Sequence, residues 1–126
     1  MEEAQFVIEN LAPYQVKFPV VLDVEAVGSG NARTKNLTVE ERTQYAITFC
    51  EAVKAAGYTP MIYGNLKTFM LMLDLEQLEG YEKWFAAYDT SKIYFPYAFS
   101  IWQYTDKGSV AGINGEVDLN ITFGQW

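Results

Sequence analysis

The chain has 126 residues with 9 basic and 16 acidic side chains, no histidine and one cysteine, and a formal charge of −7. That length suits one domain, and a composition that is half hydrophobic and 16% aromatic argues against disorder. The missing histidine excludes Ser-His-Asp and Cys-His catalysis and most zinc sites; the scattered cations disfavour nucleic acid, and Cys50 cannot form an internal disulfide.

The acidic start MEEAQFVIEN carries no signal-peptide pattern, and no apolar run reaches the ~18 residues of a membrane span. Residues 3–12 read as a helix with Phe6, Val7 and Leu11 on one side, stopped before Pro13. Residues 18–25, FPVVLDVE, read as a buried strand, and the near-continuous apolar run suits a parallel sheet covered on both faces. Residues i and i+2 of a strand share a face, so Asp23 and Glu25 should point the same way. The loop AVGSGNARTKN follows; its Gly28-Ser29-Gly30 lacks the ending of a phosphate loop. Thr38 and Glu41 form a capping box for a helix with Val39, Ala46, Phe49, Cys50 and Val53 as its apolar positions and Gly57 as its stop. Among these, Cys50 is a small buried hydrophobe and inert.

TPMIYG, 59–64, is a second strand. Asn65 caps a further predicted helix, LKTFMLMLDLEQLEG, with Met70 to Leu73 as packing and Asp74, Glu76 and Glu79 as a solvated face. KWFAAY, 83–88, and AFSIWQYT, 98–105, are strands three and four. Residues 110–120 carry an Asn114-Gly115 pair that predicts a two-residue hairpin turn, with EVDLN as second arm. Strands alternating with helices over short connections imply an α/β fold with a parallel sheet. Polar and aromatic groups gather at the predicted strand ends: Asp23, Glu25, Tyr63, Tyr88, Trp102, Tyr104 and, on the last arm, Asp118. Sites of α/β folds lie at that edge. Acids with aromatic rings suit sugars, whose C–H faces stack on rings while carboxylates handle the glycosidic oxygen. For each residue a plainer role competes: solvated acids at strand ends, turn chemistry for Asp118, and half-buried structural tyrosines and tryptophans.

The segments VVLDVE, PMIYG, WFAAY and WQYTDKGSVAGINGEVDLN, in that order, resemble the later strands of the glycoside hydrolase family 25 lysozymes, from about residue 4 to the end. The resemblance implies a partial irregular β/α (TIM-like) barrel, one domain over 1–126 that comprises strands four to eight of the family barrel with the N-terminal strands absent. It implies a peptidoglycan muramidase that cleaves the β-1,4 bond between N-acetylmuramic acid and N-acetylglucosamine, acting on cell walls outside the cell, from a bacterium or a phage. Carried over, Glu25 matches the general acid. Asp23 matches its partner carboxylate, a nucleophile or a stabiliser of the N-acetyl group. Tyr63, Trp84, Tyr88, Trp102, Tyr104 and Asp118 match substrate-binding positions. No cofactor and no metal are expected, and the partner is a peptidoglycan strand, not nucleic acid or a membrane. The family's first-strand Asp-x-Ser is missing from the sequence, so weak or no lysis by this chain alone is expected, with open barrel edges inviting association with a second copy. Two alternatives stand beside this one: a non-catalytic glycan-binding barrel fragment, and a divalent-cation site on Asp23, Glu25 and Asp118.

Overall fold

The computed structural model describes residues 2–26, 34 and 36–126. The glycine-rich stretch at 28–30 lies outside the described residues. In chain order the elements are α1 (Glu2–Leu11), β1 (Val20–Asp23), α2 (Val39–Ala55), β2 (Pro60–Asn65), a short π-helical segment (Thr68–Met72), β3 (Glu82–Ala86), β4 (Ile101–Gly108) and β5 (Val117–Thr122). The strands form one sheet in the order β1-β2-β3-β4-β5. The first four are parallel, and β5 runs antiparallel to β4. This is a partial α/β barrel, as expected from the sequence.

Strand alternation divides the sheet into two faces. Val20, Ile62 and Phe85 face α1 and α2 and join Ala4, Ala46, Phe49, Cys50 and Val53 in a dry core. Burying such side chains contributes about 1.5–3 kcal/mol each. β3 and β4 are joined without a helix. Instead Phe95 and Phe99 of the connection pack on Phe85, Phe95 stacking at 4.6 Å between ring centroids and 14° between planes. The opposite face carries Asp23, Tyr63, Trp84 and Gln103, and it is the face that bears the chemistry.

The capping box of α2 is present: Glu41 N–H donates to the Thr38 hydroxyl at 3.1 Å, and Thr38 N–H donates to the Glu41 carboxylate at 2.9 Å. Gly57, at φ 90°, closes the helix.

Several expectations need correction. In α1, Ala4 is buried and Val7 and Leu11 pack on the core, whereas Phe6 is exposed. The first strand is shorter than 18–25, and Phe18 is exposed. The helix after Asn65 does not continue to Gly80. Asn65 does cap the segment, its Oδ1 accepting Thr68 N–H at 2.9 Å. At Leu73 the backbone becomes extended, φ −131° and ψ 150°. The cause lies in α2: the Thr43 hydroxyl accepts Asp74 N–H at 2.9 Å, and Arg42 Nη1 donates to Met72 O at 3.3 Å. Both bonds take groups a continuing helix would use itself. Beyond the break Leu73, Leu75 and Leu78 enter the core, while Met70 and Leu71 are exposed. Asp74 is a turn residue and not part of a solvated helix face, its carboxylate accepting from Glu76 N–H and Gln77 Nε2.

The Asn114-Gly115 pair does not make a two-residue hairpin. The first arm is β4 itself, which runs on to Gly108, and residues 109–116 connect it to β5. Gly108 allows the close approach: a Cβ there would stand 2.7 Å from Val117 O and closer still to the Leu119 side chain.

Candidate active site

Asp23 is the last residue of β1 and lies in register with Tyr63 of β2, which is in register with Trp84 of β3. Beyond Asp23 the chain is held on both sides. Val24 N–H donates to Tyr63 O at 3.1 Å, and the Thr68 hydroxyl donates to Val24 O at 3.0 Å. Fixing Val24 in this way fixes Glu25 beside Asp23. Thr68 can come this close because residue 64 is glycine; a Cβ there would lie 2.8 Å from Thr68 Cγ2.

Both carboxyls hold their protons more tightly than usual. For Asp23 the cause is partial burial. For Glu25 partial burial comes first, then the negative charges of Asp23 and Asp118. Three elements therefore bring their acids within electrostatic reach: β1, the residue pair just after it, and β5. Glu25 is the group on which both other anions act, so it is the one best placed to keep a proton while a neighbour ionises.

Tyr63 and Tyr88 stand beside the acids. The Tyr63 hydroxyl is raised above its ordinary range, first by burial, then by its hydrogen bond with Tyr88, and then by the charges of Tyr88, Glu25 and Asp23. Tyr88 is raised by burial first, with Asp118, Asp106 and Glu25 adding to it. Both hydroxyls donate to one atom, Oε1 of Gln103, Tyr63 at 2.8 Å and Tyr88 in a short contact. Gln103 Nε2 in turn donates to Asp118 Oδ2 at 3.4 Å. Gln103 is 3% exposed. Sequence inspection passed over it between Trp102 and Tyr104. The signal was present, since a glutamine inside a buried, aromatic strand needs partners.

Trp84 meets Tyr63 edge-on at 5.1 Å and 74°, and its indole donates to Asn120 Oδ1 at 2.8 Å. Trp102 and Tyr104 stand apart from this group. Trp102 is in register with Phe85 and Ile121, on the face of β4 opposite Gln103, and its indole donates to Ala87 O at 2.9 Å. Tyr104 packs edge-on against Trp102 at 6.1 Å, where the β4–β5 register slips. Among the described residues no group of three acidic or cysteine side chains is placed to hold a metal ion. Cys50 is fully buried, its thiol pushed up to about 12 by burial and by Glu51. An open hollow of about 350 Å³ lies on the site's face of the sheet, lined by Val21, Met61, Trp84, Ile101, Asn120 and neighbours. It shares Trp84 and Asn120 with the site but contains none of the acids. Among the described residues no helix is long and apolar enough to cross a membrane.

A model described as glycosyl hydrolases family 25 matches residues 1–113. A lysozyme of Streptococcus phage Cp-9 is 34% identical over 139 residues, taking in 98% of this chain and 38% of that protein. The uncharacterized protein YegX of Escherichia coli (strain K12) is 30% identical over 124 residues, 94% of this chain and 42% of its own length. The chain thus spans 38 to 42% of these curated relatives. Among solved structures, the CTP1L endolysin superimposes with a TM-score of 0.73 at 27% identity, over 95% of this chain and 40% of that one. A family 25 glycosyl hydrolase from Bacillus anthracis shares the fold, with a TM-score of 0.68 at 22% identity over 97% of this chain and 59% of that one.

Proposed function

Because the chain belongs to glycosyl hydrolases family 25, we propose that it carries the acid–base half of a muramidase site acting on the β-1,4 bond between N-acetylmuramic acid and N-acetylglucosamine in cell-wall peptidoglycan. The observation that carries this is the placement of Asp23 and Glu25 at the end of β1 beside Tyr63, where slight burial and the charges of Asp23 and Asp118 shift the Glu25 carboxyl toward its protonated form. Glu25 gives its proton to the leaving glycosidic oxygen as the C–O bond breaks. The ring left behind develops oxocarbenium character, which needs an anion. Asp23 supplies it, directly at the anomeric carbon or through the substrate's acetamido group. Water then completes the hydrolysis, and its proton restores Glu25. Tyr63, Trp84 and Tyr88 form the aromatic wall that receives the sugar, and Asp118 keeps negative potential on the acid pair. Trp102 and Tyr104 support the wall from the other face of β4.

Turnover by these 126 residues alone is proposed to be weak. In the sheet β1 and β5 each pair with a strand on one side only. Sedimentation tests the related proposal that these edges associate; a compact dilute monomer would reject it.

The test of the reaction is clearing of a peptidoglycan suspension by the wild type and by Glu25→Gln. Residual clearing that falls at least about a hundredfold in the variant supports general-acid chemistry. Glycan binding that is equal in both proteins, with no clearing by either, supports the second reading, a glycan-binding module. The edge-on pair of Tyr63 and Trp84 on the acid-bearing face favours that second reading.

A further inference from the structure

Gln103 imposes one hydrogen-bonding direction on its cluster, and that direction reaches the cleft. Asp118 as a carboxylate only accepts, so the Gln103 atom facing it is the amide Nε2. The carbonyl Oε1 then faces the other way, toward Tyr63 and Tyr88. An amide oxygen has no proton to give, so both hydroxyls must donate to it, and its two lone pairs are both used. Each phenol has one proton, and with both directed at Oε1 neither points into the cleft. Gln103 is buried, so solvent does not compete for these bonds. What the two phenols have left to offer the cleft is oxygen lone pairs, on the face of the sheet where Asp23 lies in register with Tyr63.

We propose that Gln103 is a positioning residue that makes Tyr63 and Tyr88 acceptors toward the cleft, so that this part of the site takes a group that can only donate, the N–H of a 2-acetamido sugar. A sugar hydroxyl would not be selected, because it rotates to donate or accept as needed. An acetamido carbonyl in the same place would meet two oxygens and no proton. The inference rests on the muramidase reading and adds to it the end of the acetamido group that the tyrosines recognise.

The test is calorimetric titration of the chain with the N-acetylglucosamine–N-acetylmuramic acid disaccharide, and with an analogue carrying O-acetyl esters in place of both acetamido groups. The analogue removes the N–H and keeps the carbonyl. The wild type should prefer the amide by about tenfold, the loss of one neutral hydrogen bond. Gln103→Met releases both phenol protons, and the preference should shrink to about twofold or less. Gln103→Glu keeps an oxygen for the tyrosines and should restore the preference, while its charge beside Asp118 moves the pH dependence of binding. Circular dichroism checks the fold; should Gln103→Met not fold, Tyr88→Phe, at a half-exposed position, removes one acceptor and must lower the preference by itself. A wild type that binds amide and ester equally overturns the inference and leaves the muramidase reading standing. A folded Gln103→Met that keeps the full preference also overturns it. A wild type that binds neither sugar overturns the muramidase reading and the inference with it.

Discussion

The two faces of the sheet are built from alternate residues of the same strands, and they solve the problem of buried polarity in different ways. On the helix-covered face the one deeply buried charge among the described residues is Lys83, 2% exposed. Its ammonium donates to three backbone carbonyls, Leu78 at 3.0 Å, Glu79 at 3.4 Å and Tyr81 at 2.9 Å. It ties down the turn that leads into β3 and touches nothing in the cleft. On the opposite face the buried polar group is Gln103, whose partners are the part-buried Tyr63 and the more exposed Tyr88 and Asp118. Each is fully satisfied, yet only one passes its bonding pattern outward. Burial of a polar side chain therefore does not distinguish structure from function; the exposure of its partners does.

The largest expected effect lies on the covered face. Phe85 is 2% exposed and contacts Phe69, Phe95 and Phe99. Phe85→Ala should destabilise the chain by about 3–5 kcal/mol in urea unfolding. Because Phe85 carries the β3–β4 connection as well as the helices, the loss should extend to protection of the 93–99 segment in hydrogen exchange. Loss of stability with unchanged protection there would show that the aromatic connection is held independently.

Lys83→Met comes next. It keeps the stem and removes the donor, leaving the carbonyls of Leu78, Glu79 and Tyr81 short of a partner, for about 1–3 kcal/mol. The pH dependence gives a second readout. Burial lowers the Lys83 pKa, with Glu79 and Glu82 opposing the shift. Just below the ordinary lysine range this group binds more protons in the unfolded chain than in the folded one, so Lys83 contributes a rise of stability with pH, opposed there by the raised Cys50, Tyr63, Tyr81 and Tyr88. Lys83→Met should remove that contribution and make stability fall more steeply with pH. A variant that keeps the slope would assign it to another group.

How much of this was legible in the sequence depends on how far each feature reaches. The α2 cap needs only Thr38 and Glu41, three residues apart, and it could be read directly. The strands followed from their apolar runs and flanking turns, and the gathering of Asp23, Glu25, Tyr63, Tyr88 and Asp118 followed from placing strand ends along one edge. The break at Leu73 could not be read, because it is made by Thr43 and Arg42, about thirty residues earlier. The hairpin was misplaced because Asn-Gly is a strong local signal, while the extension of β4 to Gly108 depends on a close approach to Val117 and Leu119. Gln103 was missed for a similar reason: which of Trp102, Gln103 and Tyr104 faces the acids depends on the register with β3 and β5.

The smallest effect sharpens the comparison most, because its sign is opposite to those above. Asp23 and Glu25 both have raised pKa values, so the folded chain binds their protons more tightly than the unfolded chain does. Between the ordinary carboxylate range and those raised values the native state holds the extra protons. Stability therefore falls as pH rises through that window, and above it the penalty is fully present. Glu25→Gln removes one of the mutually repelling charges. It should raise stability at pH 7 by less than about 1 kcal/mol, since the group is largely solvated and salt screens it. The gain should vanish at pH 3, where both proteins carry a neutral group at this position, and shrink in high salt as the repulsion from Asp23 and Asp118 is screened. Substitutions on the covered face can only lose stability, whereas here a loss of chemistry should come with a gain in stability. A Glu25→Gln chain no more stable than wild type across this range would mean that the acids do not strain one another, and that Glu25 has no physical reason to keep its proton.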